Sequence, residues 1–266
     1  MTSALPDHWV LGTGETTVFL LHGMYGAKEY WRPEAERLTA LGYRVVAWDA
    51  PGYGTSPLPE NFTLASVAAE GARLVRATGS ERNVVFGHSM GGQLTFRIYQ
   101  MIPERIDAVV ISATIGYFGN KTPEEQAAFV RERQEAAAAA TQNADTGSLV
   151  DRMLAPGASG PDVELVRRIT ALTPVATAKA AVAAVQAADE AESVAAIRSI
   201  DVPALVVAGA VDTVGRPAGM RRVADMMGHA TFAEVADAGH YPWAEHPDAF
   251  NALLIPFLTN AVPVNA

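Results

Sequence analysis

The chain has 266 residues, 49% of them hydrophobic and 18% charged, and 20 Lys+Arg against 29 Asp+Glu leave a formal charge of −9. That much burial material excludes a disordered chain, and the length suits one elaborated domain with a large core. The acidic balance argues against nucleic acid as a partner, since no basic cluster exceeds the pairs Arg167-Arg168 and Arg221-Arg222; the absence of cysteine removes disulfides, thiolate catalysis and Cys-ligated metals, and fits a cytoplasmic protein.

At the N-terminus, MTSALPDHWV has neither a basic region nor an apolar run, and no stretch approaches the roughly 18 apolar residues that span a bilayer. The expectation is an unexported, soluble protein with no membrane partner. Six short runs rich in Val, Ile and Phe then read as buried strands: 16–23, 44–50, 83–89, 107–113, 203–209 and 230–236. Helical spacing of apolar residues over 31–41 and 66–78, between the early strands, gives the βαβα rhythm of a parallel sheet with helices on both faces.

The rhythm breaks after Ala113, where about 85 residues rich in Ala, Glu, Gln and Arg precede the next strand. Thr122 and Pro123 resemble a helix start, and APGASGP (155–161) a loop between further helices. The expected organisation is one α/β domain over 1–266, its core built from 1–113 and 200–266, with 114–199 inserted as a helical lid. A competing reading makes the Ala-rich stretches solvent-facing helices with weak packing.

The most specific chemical signal is Gly87-His88-Ser89-Met90-Gly91, between the run NVVF and the helical QLTFRIYQ. In the order strand, G-x-S-x-G, helix, the glycines permit a turn sharp enough to push Ser89 out at the top of a sheet. A serine hydroxyl needs a base, itself oriented by a third group. Among six histidines, His240 stands out because it follows the last strand run, at the carboxyl edge where a parallel sheet presents side chains to ligands. His88 should leave its strand on the other face, and His22 is read as bracing its loop. For the carboxylate, Asp212 directly follows the run PALVVAGAV; Asp201 and Asp237 are weaker rivals. Oxyanion donors are expected from the N–H groups of Met90, at a helix start, and Met24, after His22-Gly23.

With GHSMGG, the HG turn at 22–23, the Asp49-Ala50-Pro51-Gly52-Tyr53-Gly54-Thr55-Ser56 loop, the GAVD turn ending at Asp212 and AGHYPWAEHPDAF around His240, the chain resembles the α/β-hydrolase superfamily over nearly its full length. The resemblance implies a mainly parallel eight-stranded sheet with a lid inserted after the sixth strand, and the triad Ser89, Asp212 and His240 stands in the family's chain order. Asp49 is read as fixing a Gly/Pro-rich turn rather than as catalytic.

Serine at the elbow points to acyl transfer to water. The tail around His240 is similar to two small bacterial groups, carboxylesterases with enol-lactonases and the C–C bond hydrolases of ring-opened aromatic metabolites. The latter usually carry Asn before the serine, where this chain has His88, and often Trp after the histidine, where it has Tyr241, so an ester or lactone is favoured. A ligand receptor on the same fold, and a cofactor-free lyase or oxygenase using His240 as base, are the other readings. Tyr25, Tyr117, Phe118 and Trp243, with Met24 and Met90, are expected to wall an apolar and aromatic pocket for a small molecule. If the substrate carries a free carboxylate, a lid arginine such as Arg131, Arg133 or Arg152 could bind it, although each reads first as a solvated helix charge. With no Walker A sequence, dinucleotide fingerprint or HExxH, no cofactor or metal is expected.

Overall fold

The structure is a computed structural model that describes residues 4–114 and 146–263. Its sheet contains β1 (His8–Leu11), β2 (Thr16–Leu21), β3 (Arg44–Trp48), β4 (Arg82–His88), β5 (Ala108–Ser112), β6 (Ala204–Gly209) and β7 (Ala230–Val235). Their spatial order is β1-β3-β2-β4-β5-β6-β7, parallel throughout except for β1, which runs antiparallel to β3 with His8 opposite Trp48. The described residues thus form seven strands where eight were expected. The single opening strand is four residues long and pairs on one side only, so it closes the sheet edge with little burial.

Six strands fall on the six expected runs; β2 to β6 are apolar stretches buried on both faces, whereas β7, at the sheet edge, buries only Val235 fully. Alternation of side chains then divides the core: Phe19, Leu21 and Val85 enter one cluster, and Val18, Leu20, Val84 and Phe86 the other. The first face is covered by α2 (Leu64–Thr78) and α3 (Met90–Met101), which contribute Val67, Leu74, Leu94 and Ile98. The second is covered by α1 (Arg32–Ala40), which follows a 3₁₀ turn over Lys28–Trp31, and by the C-terminal helix over 247–261, which buries Phe250, Leu254 and Leu258.

Between β5 and β6 the described residues form α4 (Thr146–Asp151), α5 (Pro161–Thr170), α6 (Val175–Gln186) and α7 (Glu190–Arg198). The Ala-rich α6 is not a loosely packed surface helix, since Ala181, Ala184 and Val185 join the core on the α2/α3 face. Thr122, Pro123, Tyr117, Phe118, Arg131 and Arg133 lie outside the described residues. After β6 come α8 (Pro217–Asp225), the short α9 (Pro242–Glu245) and α10 (Pro247–Ala261). Among the described residues no single helix is long and apolar enough to cross a membrane.

Strand order reverses at β2, whose successor β3 lies on one side and β4 on the other. Such a reversal opens a crevice at the carboxyl ends of the strands, because the following connections leave in opposite directions. Leu21 pairs with Gly87, so the loop after β2 and the turn after β4 leave the sheet side by side there.

Candidate active site

The turn after β4 places Ser89 at φ 54° and ψ −118°, a left-handed backbone that costs a non-glycine residue roughly 1–3 kcal/mol. The glycines around it serve space rather than torsion. A Cβ on Gly87 would lie 2.2 Å from the Gly91 carbonyl oxygen, and a Cβ on Gly91 would lie 2.2 Å from that of Leu21. Neither contact can be relieved by a side-chain rotation, since both obstacles are main chain. Gly91→Ala is therefore expected to destabilise the protein by about 2–4 kcal/mol, read as a lower urea midpoint at unchanged slope.

Three of the residues expected to work together meet at the crevice. His240 Nε2 lies 3.0 Å from Ser89 Oγ, and His240 Nδ1 lies 2.9 Å from Asp212 Oδ2. The second Asp212 oxygen accepts the Val214 N–H at 2.7 Å, which fixes the plane of the carboxylate. Asp212 and His240 are buried and Ser89 is partly open, so the hydroxyl faces the cleft while the groups behind it are shielded from water. This arrangement can draw a proton from Ser89 to His240 and stabilise the resulting imidazolium. The rival carboxylates are elsewhere: Asp201 is exposed beside His229, and Asp237 is exposed in a left-handed turn at φ 56°.

Met24 and Met90 both border the cleft beside Ser89. Neither N–H is donated to another described residue, so two main-chain donors remain unengaged next to the hydroxyl. The loop that carries Met24 is built tightly. Gly26 N–H closes a turn on the Gly23 carbonyl, Tyr53 Oη donates to the Met24 carbonyl, and His22 accepts the Ala50 N–H on Nε2. Burial pushes the His22 imidazole below its ordinary range, in keeping with a neutral brace. Asp49 accepts the Lys28 N–H and pairs with Lys28 Nζ, joining its own turn to the end of the Met24 loop.

The cleft has a volume of about 50 Å³. Tyr25 lies on its wall, as expected, and the segment between β5 and β6 adds Met153 and Val185. Trp243 does not reach it. The ring is fully buried, stacked on Tyr30 at 5.0 Å and against Trp31 at 4.5 Å, because α9 turns it into the core while Tyr241 faces the cleft. Gln93, Val214 and Tyr241 are lining residues the sequence did not single out. None of the described lining residues is an Asp, Glu, Lys or Arg, and Arg152 is exposed elsewhere.

Two positioning groups also escaped the sequence reading. His88 does leave β4 on the face of Val84 and Phe86, yet it stays at the site, with Nε2 2.8 Å from the His240 carbonyl oxygen. Glu245 is buried and accepts three main-chain N–H groups, those of Gly239 and Ala155 on Oε2 and that of Tyr241 on Oε1. It thereby holds both flanks of His240. Glu245→Gln would turn one acceptor oxygen into a donor facing an N–H, and is expected to cost about 1–3 kcal/mol in urea denaturation.

A family model described as alpha/beta hydrolase fold matches residues 16–247. The chain belongs to that family. It is 27% identical over 259 residues to a Mycobacterium tuberculosis protein provisionally named non-heme bromoperoxidase BpoC, covering 94% of this chain and 95% of that one. It is 28% identical over 262 residues to a pimeloyl-[acyl-carrier protein] methyl ester esterase of Pectobacterium carotovorum, covering 92% and 95%. A thermophilic esterase from Thermogutta terrifontis superposes with a TM-score of 0.81 at 22% identity, over 96% of this chain and 93% of that one, a likeness of fold.

Proposed function

We propose that this alpha/beta hydrolase cleaves small, uncharged carboxylic esters or lactones through an acyl-enzyme on Ser89. The observation that carries this reading is the continuous contact from Asp212 through His240 to a strained, cleft-facing Ser89. Ser89 Oγ attacks the acyl carbon as His240 Nε2 takes its proton, and the oxyanion gathers the Met24 and Met90 N–H groups. Collapse expels the alcohol, or opens the lactone, with the proton returned by His240. A water then attacks the acyl-enzyme, giving one proton to His240, and the acid leaves as that proton passes back to Ser89 Oγ.

Among the described residues the wall carries no Asp, Glu, Lys or Arg, which bears on the substrate. A ring-opened diketoacid carries a carboxylate that needs a cation, and the described lining offers none. The relative named as a methyl ester esterase supports an acyl ester in its place. The segment over 114–199 would act as the lid, since Met153 and Val185 close part of the cleft.

The test is mass spectrometry after treatment with a fluorophosphonate, together with turnover of p-nitrophenyl acetate, a small lactone and a ring-opened diketoacid. Phosphonylation at Ser89 with sustained turnover of the first two is the expected result. Labelling with preferred diketoacid cleavage would overturn the substrate class. Ligand-induced thermal stabilisation without labelling or turnover would mark a receptor instead.

A further inference from the structure

The His88 ring bridges two loops that the sheet itself does not join. Its Nε2 meets the His240 carbonyl oxygen at 2.8 Å, and its Nδ1 lies 3.3 Å from Tyr30 Oη. Tyr30 Oη in turn accepts the Gly23 N–H at 2.7 Å, one residue before Met24. All three groups are buried.

The direction of every bond follows from its ends. An N–H can only donate, so Tyr30 Oη is an acceptor toward Gly23 and has its own hydrogen left to give. A carbonyl can only accept, so His88 Nε2 must carry a hydrogen. A neutral imidazole with that hydrogen has a bare Nδ1, and this is the acceptor the Tyr30 hydroxyl requires. We infer that Tyr30 and His88 are positioning residues forming a directional hydrogen-bond relay, Gly23 N–H to Tyr30 Oη–H to His88 Nδ1 and His88 Nε2–H to His240 C=O, which sets the spacing between the oxyanion loop and the catalytic base. The role rests on the serine-hydrolase reading, while the geometry of the relay does not.

The surroundings keep the relay in one protonation state. Burial, and next the nearby His240, holds the His88 imidazole well below its ordinary range, and burial holds the Tyr30 phenol well above its own. The relay therefore stays neutral while His240 cycles between imidazole and imidazolium, 5.0 Å away ring to ring. Both rings pack edge to face against Trp31, and Trp243 meets His88 edge to face and Tyr30 in a stack, so each can fill its space without its polar atoms. Packing and hydrogen bonding are thus separable by substitution.

Tyr30→Phe deletes only the relay oxygen. It is expected to lower kcat for p-nitrophenyl acetate about tenfold with KM within about twofold, since the Tyr30 ring that borders the cleft is kept while the register of the oxyanion loop to the base loosens. A kcat equal to wild type would show that Tyr30 contributes packing alone and overturn the relay. His88→Gln can place an amide N–H where Nε2 stands, whereas His88→Asn is too short to reach the His240 carbonyl. His88→Gln should retain about tenfold more kcat than His88→Asn, and equal or reversed values would count against the proposal. A readout that needs no activity is the imidazole ¹⁵N spectrum of the wild-type protein at neutral pH. A bare Nδ1 and protonated Nε2 at His88 are expected; a proton on Nδ1 would overturn the assignment even if a variant failed to fold. Failure of fluorophosphonate labelling would refute the hydrolase reading and leave this spectrum to judge the relay separately.

Discussion

Ser89→Ala is expected to lower kcat/KM for p-nitrophenyl acetate by at least about 10⁴-fold and to abolish fluorophosphonate labelling, leaving only what the cleft and its N–H donors achieve with bound water. The variant should fold as the wild type does. Alanine meets the same left-handed backbone cost at φ 54°, and the main-chain bonds of the turn, Ser89 N–H to the Ser112 carbonyl and Gly92 N–H to the Ser89 carbonyl, do not involve the hydroxyl. A matched urea midpoint combined with the lost rate assigns the effect to the missing nucleophile. Equal turnover by both proteins would end the acyl-enzyme reading.

The second large effect is expected from Asp212→Asn, about 10⁴-fold in kcat, by a route the structure makes specific. The oxygen that accepts the Val214 N–H must remain an acceptor, so the new amide would turn its NH₂ toward His240 Nδ1. Nδ1 would then be an acceptor without a hydrogen, and the proton of neutral His240 would sit on Nε2, where it faces Ser89 Oγ and blocks proton uptake. Turning the amide the other way sets its NH₂ against the Val214 N–H, two donors with no acceptor between them. Steady-state kinetics with a ¹⁵N measurement of the His240 tautomer would check this. An Nδ1–H tautomer in the variant, with kcat near wild type, would contradict it.

Ser89 and Asp212 were visible in the sequence because each follows a strand that is a plain apolar run, and His240 because it follows the last strand of the series. Strand ends at the carboxyl edge of a parallel sheet are places where topology alone brings distant residues together. Gly87 and Gly91 were visible for the same reason, although the space they provide matters through carbonyl oxygens that only the folded turn supplies. β1 was not legible, since three half-buried residues and the exposed Val10 at an antiparallel edge carry little hydrophobic pattern. Trp243 was misplaced because nearness to His240 in sequence says nothing of direction, and α9 rotates its ring into the Tyr30 and Trp31 stack. Val185 and Met153 could not be chosen from the insertion, because which side of the Ala-rich α6 and which residue of the turn after α4 meet a cleft is decided by tertiary packing. His88 and Glu245 act on main-chain groups, and a main-chain partner leaves no trace in residue spacing.

The His240 loop is fastened to the segment over 153–155. His240 N–H donates to the Met153 carbonyl at 2.8 Å, and Glu245 reaches across to the Ala155 N–H. The two chains run so close that a Cβ on Gly239 would lie 2.5 Å from the Ala155 nitrogen. Withdrawing this segment would tear the base from its partners, so it behaves as a doorpost rather than a door.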